Sequence, residues 1–433
     1  MKDLIAKAKN QAQQAELYQI TVTETPVRYE NNKLKSVDAS SRQINALRIV
    51  KDGKLGFATS TGDNLHPLLD MAMTNAQYGR DWDLPLPGAA PLPQVELTHP
   101  STELDLDTQV EMGDKLVRQV RECHPDLLAS ARVSTRQTTT RLLNSQGFAG
   151  EYSKRTFTIL GSIELTEGKN FLSLYSGYMS GKLEDQLDKT IADLVKKFEH
   201  GRNNVPVKSG KYTVIFSPSG LGDIVNPLLA CANGLAVEKG FSPWKDKLGE
   251  KLFSEQVSLY DDATIPFAPV SCLFDGEGIP AQSTAIIDKG VVNSFILNMV
   301  TAKALGLEST GNGFRGSNGE LSAPDNSNVV LDIAETQPLE EMLSSVEQGI
   351  IIHSLMGAWA GNPYGGQVNG NIDLGFLIED GRIKGRIKDC MVSVNVFEAF
   401  NNQILGASTE KEWAWNMLAP HLMLRDIAIN AKG

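Results

Sequence analysis

Three short stretches, VKDGKLG, IIDKGVV and IEDGRIKG, each set a tight turn between apolar, β-prone flanks. Turns of that kind oblige a chain to fold straight back as an antiparallel hairpin. Asp52-Gly53 sits in the first, within INALRIVKDGKLGFATS, while the other two belong to STAIIDKGVVNSFIL and LGFLIEDGRIKGRIKD. Hairpins near both ends demand sheet structure in both halves. Their irregular spacing excludes a solenoid, and shared turn chemistry accounts for the likeness without an internal duplication.

The polar, turn-rich tract HGRNNVPVKSGK divides the chain into an N-terminal sheet-and-helix domain, 1–203, and a strand-rich C-terminal domain, 204–433. The expected class is α+β. In the first part, Ala, Lys and Gln over 1–16 read as a helix, strands follow at 19–24 and 34–38, and a helix covers 66–78. Pro85, Pro87, Pro91, Pro93 and Pro100 make the next stretch an extended connector, because proline fixes φ and donates no backbone hydrogen bond. A helix at 107–123 presents Val110, Leu116, Val117 and Val120 on one face; strands over 131–165 turn at 144–147. Leu183, Leu187, Ile191, Leu194 and Phe198 form a stripe at helical spacing, which predicts an amphipathic helix over 183–198 packed on a sheet. In the second part KYTVIFS, SLYDDAT, SNVVLDIA and GIIIHSLMG read as further strands.

The 433 residues are 41% hydrophobic and 21% charged, which suits a folded globular chain and excludes disorder as the main state. A formal charge of −11 repels a phosphate backbone, and RIKGRIK reads as a strand with a solvated basic face, so no direct nucleic-acid partner is expected. No apolar run suits a signal peptide or a membrane span. Cys123, Cys231, Cys272 and Cys390 lie far apart, which fits a reducing compartment and a cytoplasmic protein.

Local chemistry is sparse. His66, His99, His124, His200, His353 and His421 are so dispersed that no two fall one helical turn apart. No nucleophile elbow, P-loop or dinucleotide fingerprint is present, and GNGFRGSNGE and GAWAGNPYGGQVNGN read as shaped loops. His353, inside GIIIHSLMG, reads as a hydrogen-bonded core histidine. Asp275 and Glu277 in FDGEGIP read as solvated turn acids, without a catalytic role.

An ordered series of segments is more specific: GKYTVIFSPSGLGDIVNPLLACANGLAVEKG, DKLGEKLFSEQVSLYDDATIP, FDGEGIPAQSTAIIDKGVVNSFILNMVTAKALGLESTGNGFR, PDNSNVVLD and LMGAWAGNPYGGQVNGNIDLGFLIEDGRIKG. This series resembles the TldD/PmbA family, also named modulator of DNA gyrase, with weaker support from SVDASSRQINALRIVKDGKLGFATS. The resemblance implies a cytoplasmic metalloprotease of paired subunits acting on unfolded or leader peptides. In it a TldD-like subunit carries an HExxxH helix and a later cysteine for zinc, and a PmbA-like, or TldE, subunit lacks them and completes the complex. WKDKLGE, EWAWNM and HSLMGAWAGNPYGGQ depart from the common PmbA-like pattern.

Under that resemblance Leu228, Leu229 and Asn233 occupy the positions of the first histidine, the glutamate and the second histidine; one residue earlier they are Pro227, Leu228 and Ala232. Neither register supplies a ligand or a base, and no cysteine follows Cys390. Asn226-Pro227 reads as the start of the helix. The resemblance therefore implies a PmbA-like chain with no catalytic or metal residue of its own, the zinc being held by a TldD-like partner in a heterodimer; a homodimer is the other assembly. Extended peptides are the expected ligands, bound by strand addition near Arg315, Ser327, Asn328 and Val329. An independent peptidase with a non-local site and a stand-alone peptide-binding protein are the alternatives.

Overall fold

The computed structural model describes residues 1–358 and 361–432, and its architecture is α+β with two large sheets. The first part runs α1 (Lys2–Lys9), β1 (Gln14–Glu30), β2 (Lys33–Val37), β3 (Ser40–Lys51), β4 (Lys54–Thr61), α2 (His66–Ala76), α3 (Leu106–Arg121), β5 (Leu128–Asn144), β6 (Ala149–Glu167), β7 (Asn170–Ser180) and α4 (Gln186–Gly201). The second begins with β8 (Gly210–Phe216), α5 (Pro218–Ala232), α6 (Gly234–Glu238), β9 (Val257–Asp262), β10 (Ser283–Asp288), β11 (Val291–Val292) and α7 (Met299–Leu305). It continues through β12 (Gly313–Phe314), β13 (Ala323–Pro324), β14 (Val329–Ile333), β15 (Thr336–Gln337), α8 (Leu339–Ser344), β16 (Gln348–Met356) and β17 (Gln367–Glu379). The last strands are β18 (Arg382–Arg386), β19 (Cys390–Asn395), β20 (Ile404–Ala414) and β21 (Met417–Ala431).

All three hairpin signals fold through adjacent left-handed residues: φ is 52° and 74° at Asp52-Gly53, 46° and 79° at Lys289-Gly290, and 50° and 71° at Asp380-Gly381. That backbone twist matches the right-handed twist of the paired strands. The first sheet, in the order β4-β3-β1-β5-β6-β7 with β2 on β1, is antiparallel. Its first strand starts earlier than the composition suggests. Gln14 pairs with Val50, and Ala15 and Leu17 are buried with Leu47 and Ile49, so burial overrides the helical propensity of 1–16 and the first helix stops at Lys9.

In the second sheet β8 lies parallel to β16 and antiparallel to β21. β16 pairs β17, β17 pairs β19, and β19 returns to β21, so these five strands close a circuit. The tract GAWAGNPYGGQVNGN is not wholly loop: β17 already begins at Gln367, and Trp359 and Ala360 lie outside the described residues.

The two parts share a core. Leu116, Val120, Leu194 and Phe198 of α3 and α4 pack on Ile159 and Ile163 of the first sheet, and the same apolar cluster takes in Ile215, Ile351, Phe376 and Met423 of the second. An apolar junction of this kind resists relative motion of its two sides. Arg386 adds a polar tie, donating to Asn204 Oδ1 (3.1 Å), Asn170 Oδ1 (2.8 Å) and the Phe171 carbonyl (3.0 Å). The RIKGRIK face is thus only partly solvated, since Arg386 is buried. No helix among the described residues is long and apolar enough to cross a membrane.

Candidate functional site

α5 begins at Ser217, whose Oγ accepts from Gly220 N (3.4 Å), with Pro218 in the first turn. The start expected at Asn226-Pro227 is therefore corrected: Pro227 lies inside the helix, where it withholds one backbone donor. A Cβ on Gly220 would stand 2.7 Å from the Ile352 carbonyl oxygen, so glycine is what lets the helix approach β16. Leu228 is fully buried in the core of the second part, Leu229 is half-buried against it, and Cys231 is buried. Asn233 takes extended backbone (φ −65°, ψ 121°) between α5 and α6; it accepts from Leu235 N (3.0 Å) and donates to the Pro324 carbonyl (2.9 Å). These three positions offer hydrocarbon and an engaged amide, which do not fit zinc, an ion held by imidazole, carboxylate or thiolate. Cys390 is no substitute, since it is buried with its thiol donating to the Lys388 carbonyl (2.9 Å).

The residues expected to form a peptide groove are corrected. Ser327, Asn328 and Val329 are buried, and β14 has β9 on one edge and β21 on the other, which leaves no free edge there for an added strand. Ser327 serves the buried Asp261, its N–H donating to Oδ2 (2.6 Å) and its hydroxyl to Oδ1 (2.7 Å); burial pushes the Asp261 carboxyl up to about 6. Arg315 is only 1% exposed in its side chain and pairs with Glu16 (2.5 Å), which also holds Arg48 (2.8 Å). Its Nε donates to the Gly276 carbonyl (2.7 Å), and its guanidinium lies 4.9 Å from the centre of the Tyr18 ring. Arg315 is thus a clasp between the two parts.

Asp275 and Glu277 are also corrected, since both are buried rather than solvated. Asp275 accepts from Glu277 N, Ile279 N and Gly313 N (2.9, 2.9 and 2.8 Å), while Glu277 accepts from Met299 N (2.7 Å) and meets the Ser322 hydroxyl (2.6 Å). Burial raises both carboxyls, and the negative charge of Glu277 raises Asp275 further. The hydroxyl of Ser322 and the N–H of Met299, donating to Glu277, partly offset the rise of that carboxyl.

A cleft of about 790 Å³ opens between the two parts, walled by β7 and α4 on one side and by β16, β20 and β21 on the other. It gathers His200, His353 and His421, three of the six histidines, together with Tyr175, Lys196, Lys197, Glu410 and Glu412. Strand register explains the meeting. Phe216 pairs with Ile352 on one side and with Leu422 on the other, so Ser217, His353 and His421 lie at one level across three strands.

Bulges turn these side chains toward the cleft. His353 is an extra residue between the Ile352–Gly375 and Ser354–Leu374 pairs, and His421 faces the irregular stretch of β20 between Ala407 and Lys411. His353 is half-buried, with its ring edge-on to Phe376 at 5.4 Å and no side-chain hydrogen bond among the described residues, which corrects its reading as a hydrogen-bonded core histidine. Burial, reinforced by Lys197, holds His353 well below the ordinary imidazole range. Burial and then Lys196 bring His421 to about 4, so both rings are neutral at pH 7. Burial, with Asp193 nearby, raises Glu412.

No local sequence signal links these histidines, which come from elements far apart in the chain. Among the described residues no group of three or more His, Cys, Asp or Glu is placed to hold a metal ion.

Comparison with known proteins places this geometry. Residues 209–431 match the model of the PmbA/TldA metallopeptidase C-terminal domain, and residues 15–76 match the PmbA/TldA metallopeptidase domain 1. A metalloprotease of Archaeoglobus fulgidus is 25% identical over 394 residues, covering 88% of each chain. A metalloprotease PmbA homolog of Buchnera aphidicola is 22% identical over 462 residues, covering 99% of this chain and 96% of its own. The crystal structure of TldE from Thermococcus kodakarensis superposes with a TM-score of 0.91 at 23% identity over 100% of both chains, a likeness of fold.

Proposed function

The chain belongs to the PmbA/TldD family, and from that premise we propose that it is a PmbA-like subunit that carries no zinc itself and completes a metalloprotease with a TldD-like partner. The observation that carries this reading is the chemistry of the α5 positions. Fully buried Leu228, half-buried Leu229 and Asn233 stand where the resemblance sets two imidazoles and a carboxylate. A metal-bound hydroxide needs ligands and a base at such a helix, and these side chains provide neither. The full-length match to a PmbA homolog supports the same assignment. In the complex the chain contributes a wall of the peptide site, and its ligands are unfolded or leader peptides.

The test is metal content and peptide hydrolysis by the purified chain, by a TldD-like partner and by their mixture. Turnover confined to mixtures containing the partner, with less than stoichiometric zinc on this chain alone, is expected. Turnover by this chain alone would show an independent peptidase, and peptide binding without turnover in any mixture would show a stand-alone binding protein.

A further inference from the structure

The rim of the cleft combines three features that the subunit role does not use. The first is the start of α5, a helix of 15 residues. Gly220 N is satisfied by Ser217 Oγ and Leu221 N by the Ser217 carbonyl, while Ser219 N–H, in an exposed residue lining the cleft, has no partner among the described residues. Such a free donor, at the positive end of a helix dipole, favours an anion. The second is His421, 6% exposed and lining the same cleft, whose imidazole makes no hydrogen bond among the described residues. Buried polar groups are ordinarily satisfied, so an idle imidazole facing a cleft points to a ligand atom.

The third feature is charge. Lys196 is exposed and forms no ion pair among the described residues, whereas its neighbour Lys197 is committed to Asp193 (2.7 Å) and the Tyr175 carbonyl (3.1 Å). Lys196 is also the charged group that bears most on His421. Besides burial, Lys197, His421, Lys196 and His200 all act to hold His353 neutral. Asp193, already paired with Lys197, and Glu410 also bear on His421 with the opposite sign, and Glu412 lines the same cleft. The wall also carries apolar and aromatic side chains, Met179, Ile351, Phe376, Trp413 and Trp415, among polar ones such as Gln186 and Thr190, and about 790 Å³ is far more room than an inorganic anion fills.

We propose that this end of the cleft holds the C-terminal carboxylate of a short peptide, received by the Ser219 N–H at the start of α5 and faced by the Lys196 ammonium and the His421 imidazole. The rest of the peptide lies along the aromatic wall. The inference rests on the peptide-processing reading only for its choice of a peptide over another carboxylate.

The test uses the full chain alone in isothermal titration with an acetylated trialanine as free acid, the same peptide as its C-terminal amide, and inorganic phosphate. The free acid binds, and the amide binds at least about tenfold more weakly, because the charge-assisted hydrogen bonds are lost. Lys196→Gln, at an exposed position, weakens the acid by about tenfold and leaves the amide unchanged. His421→Gln weakens the acid as well, with a thermal melt confirming that the variant is folded.

Equal binding of acid and amide, no binding of either, or no effect of Lys196→Gln would overturn the assignment. Phosphate bound in place of the peptide would show a small-anion site and overturn the peptide occupant. Failure here, with hydrolysis by the mixture intact, would leave the subunit reading standing; binding here with no hydrolysis by any mixture would remove that reading and keep the site.

Discussion

Arg315 separates a binding role from a structural one. A groove arginine would lose peptide affinity on substitution and leave stability unchanged. In the structure it is buried, ion-paired to Glu16 across 299 positions of sequence, bonded to the Gly276 carbonyl and stacked over Tyr18. Arg315→Met leaves Glu16 still paired with Arg48, so the cost is at the lower end for a broken buried pair, about 3 kcal/mol. Glu16→Gln is worse, about 4 kcal/mol, because two buried guanidiniums lose their shared anion. The double variant falls short of the sum by about 2 kcal/mol, since the two share one interaction. Urea denaturation followed by tryptophan fluorescence and far-UV circular dichroism reads these values, with coincident midpoints required before a two-state treatment. Single-variant losses within about 0.5 kcal/mol, or a strictly additive double variant, would refute the clasp.

Leu228→Ala costs about 2–5 kcal/mol by leaving a core cavity, and the half-buried Leu229→Ala costs clearly less; equal losses in denaturation would contradict the burial of the two faces of α5. His421 is depressed in the folded protein, so the unfolded chain binds the extra proton between about pH 6.5 and 4. Its contribution is fully present above 6.5 and is lost as pH falls toward 4, by about 3 kcal/mol in all; the difference in stability between wild type and His421→Gln should trace that window. Asp275 and Glu277 act oppositely, because raised carboxyls retain protons on folding and lose stability as pH rises from about 4 towards their raised folded values. Glu277→Gln removes the like charge beside Asp275, so its unfolding free energy should fall less steeply with pH across that range, and an unchanged slope would oppose the pairing.

What the sequence discloses depends on whether the physics is local. The turn dipeptides Asp52-Gly53, Lys289-Gly290 and Asp380-Gly381 act over a few residues, and the stripe Ile191, Leu194 and Phe198 over about two turns, so hairpins and helix are legible without any tertiary contact. Asn226-Pro227 imitates a helix opening, but Ser217-Pro218 has the same chemistry and also follows directly on β8, so α5 starts there. Residues 14–16 join a strand against their composition because helical propensity is worth only about a few tenths of a kcal/mol per residue and strand burial more. Nothing local marks Asp275 and Glu277 as buried, because their donors Gly313 N, Met299 N and Ser322 arrive from other loops.

The cleft was wholly out of reach, and its legibility fails for a definite reason. Ser217, His353 and His421 share a level only because β8 is parallel to β16 and antiparallel to β21, and the two imidazoles face outward only because the ladder slips beside each. A slip of one residue in either pairing would send that histidine to the opposite face. Register and bulge together, not motif, place these groups, whereas α5 follows the opposite logic. There the residue types alone, Leu228 and Leu229, decide that the helix serves as core, and strand geometry decides that its N-terminal end opens on the cleft.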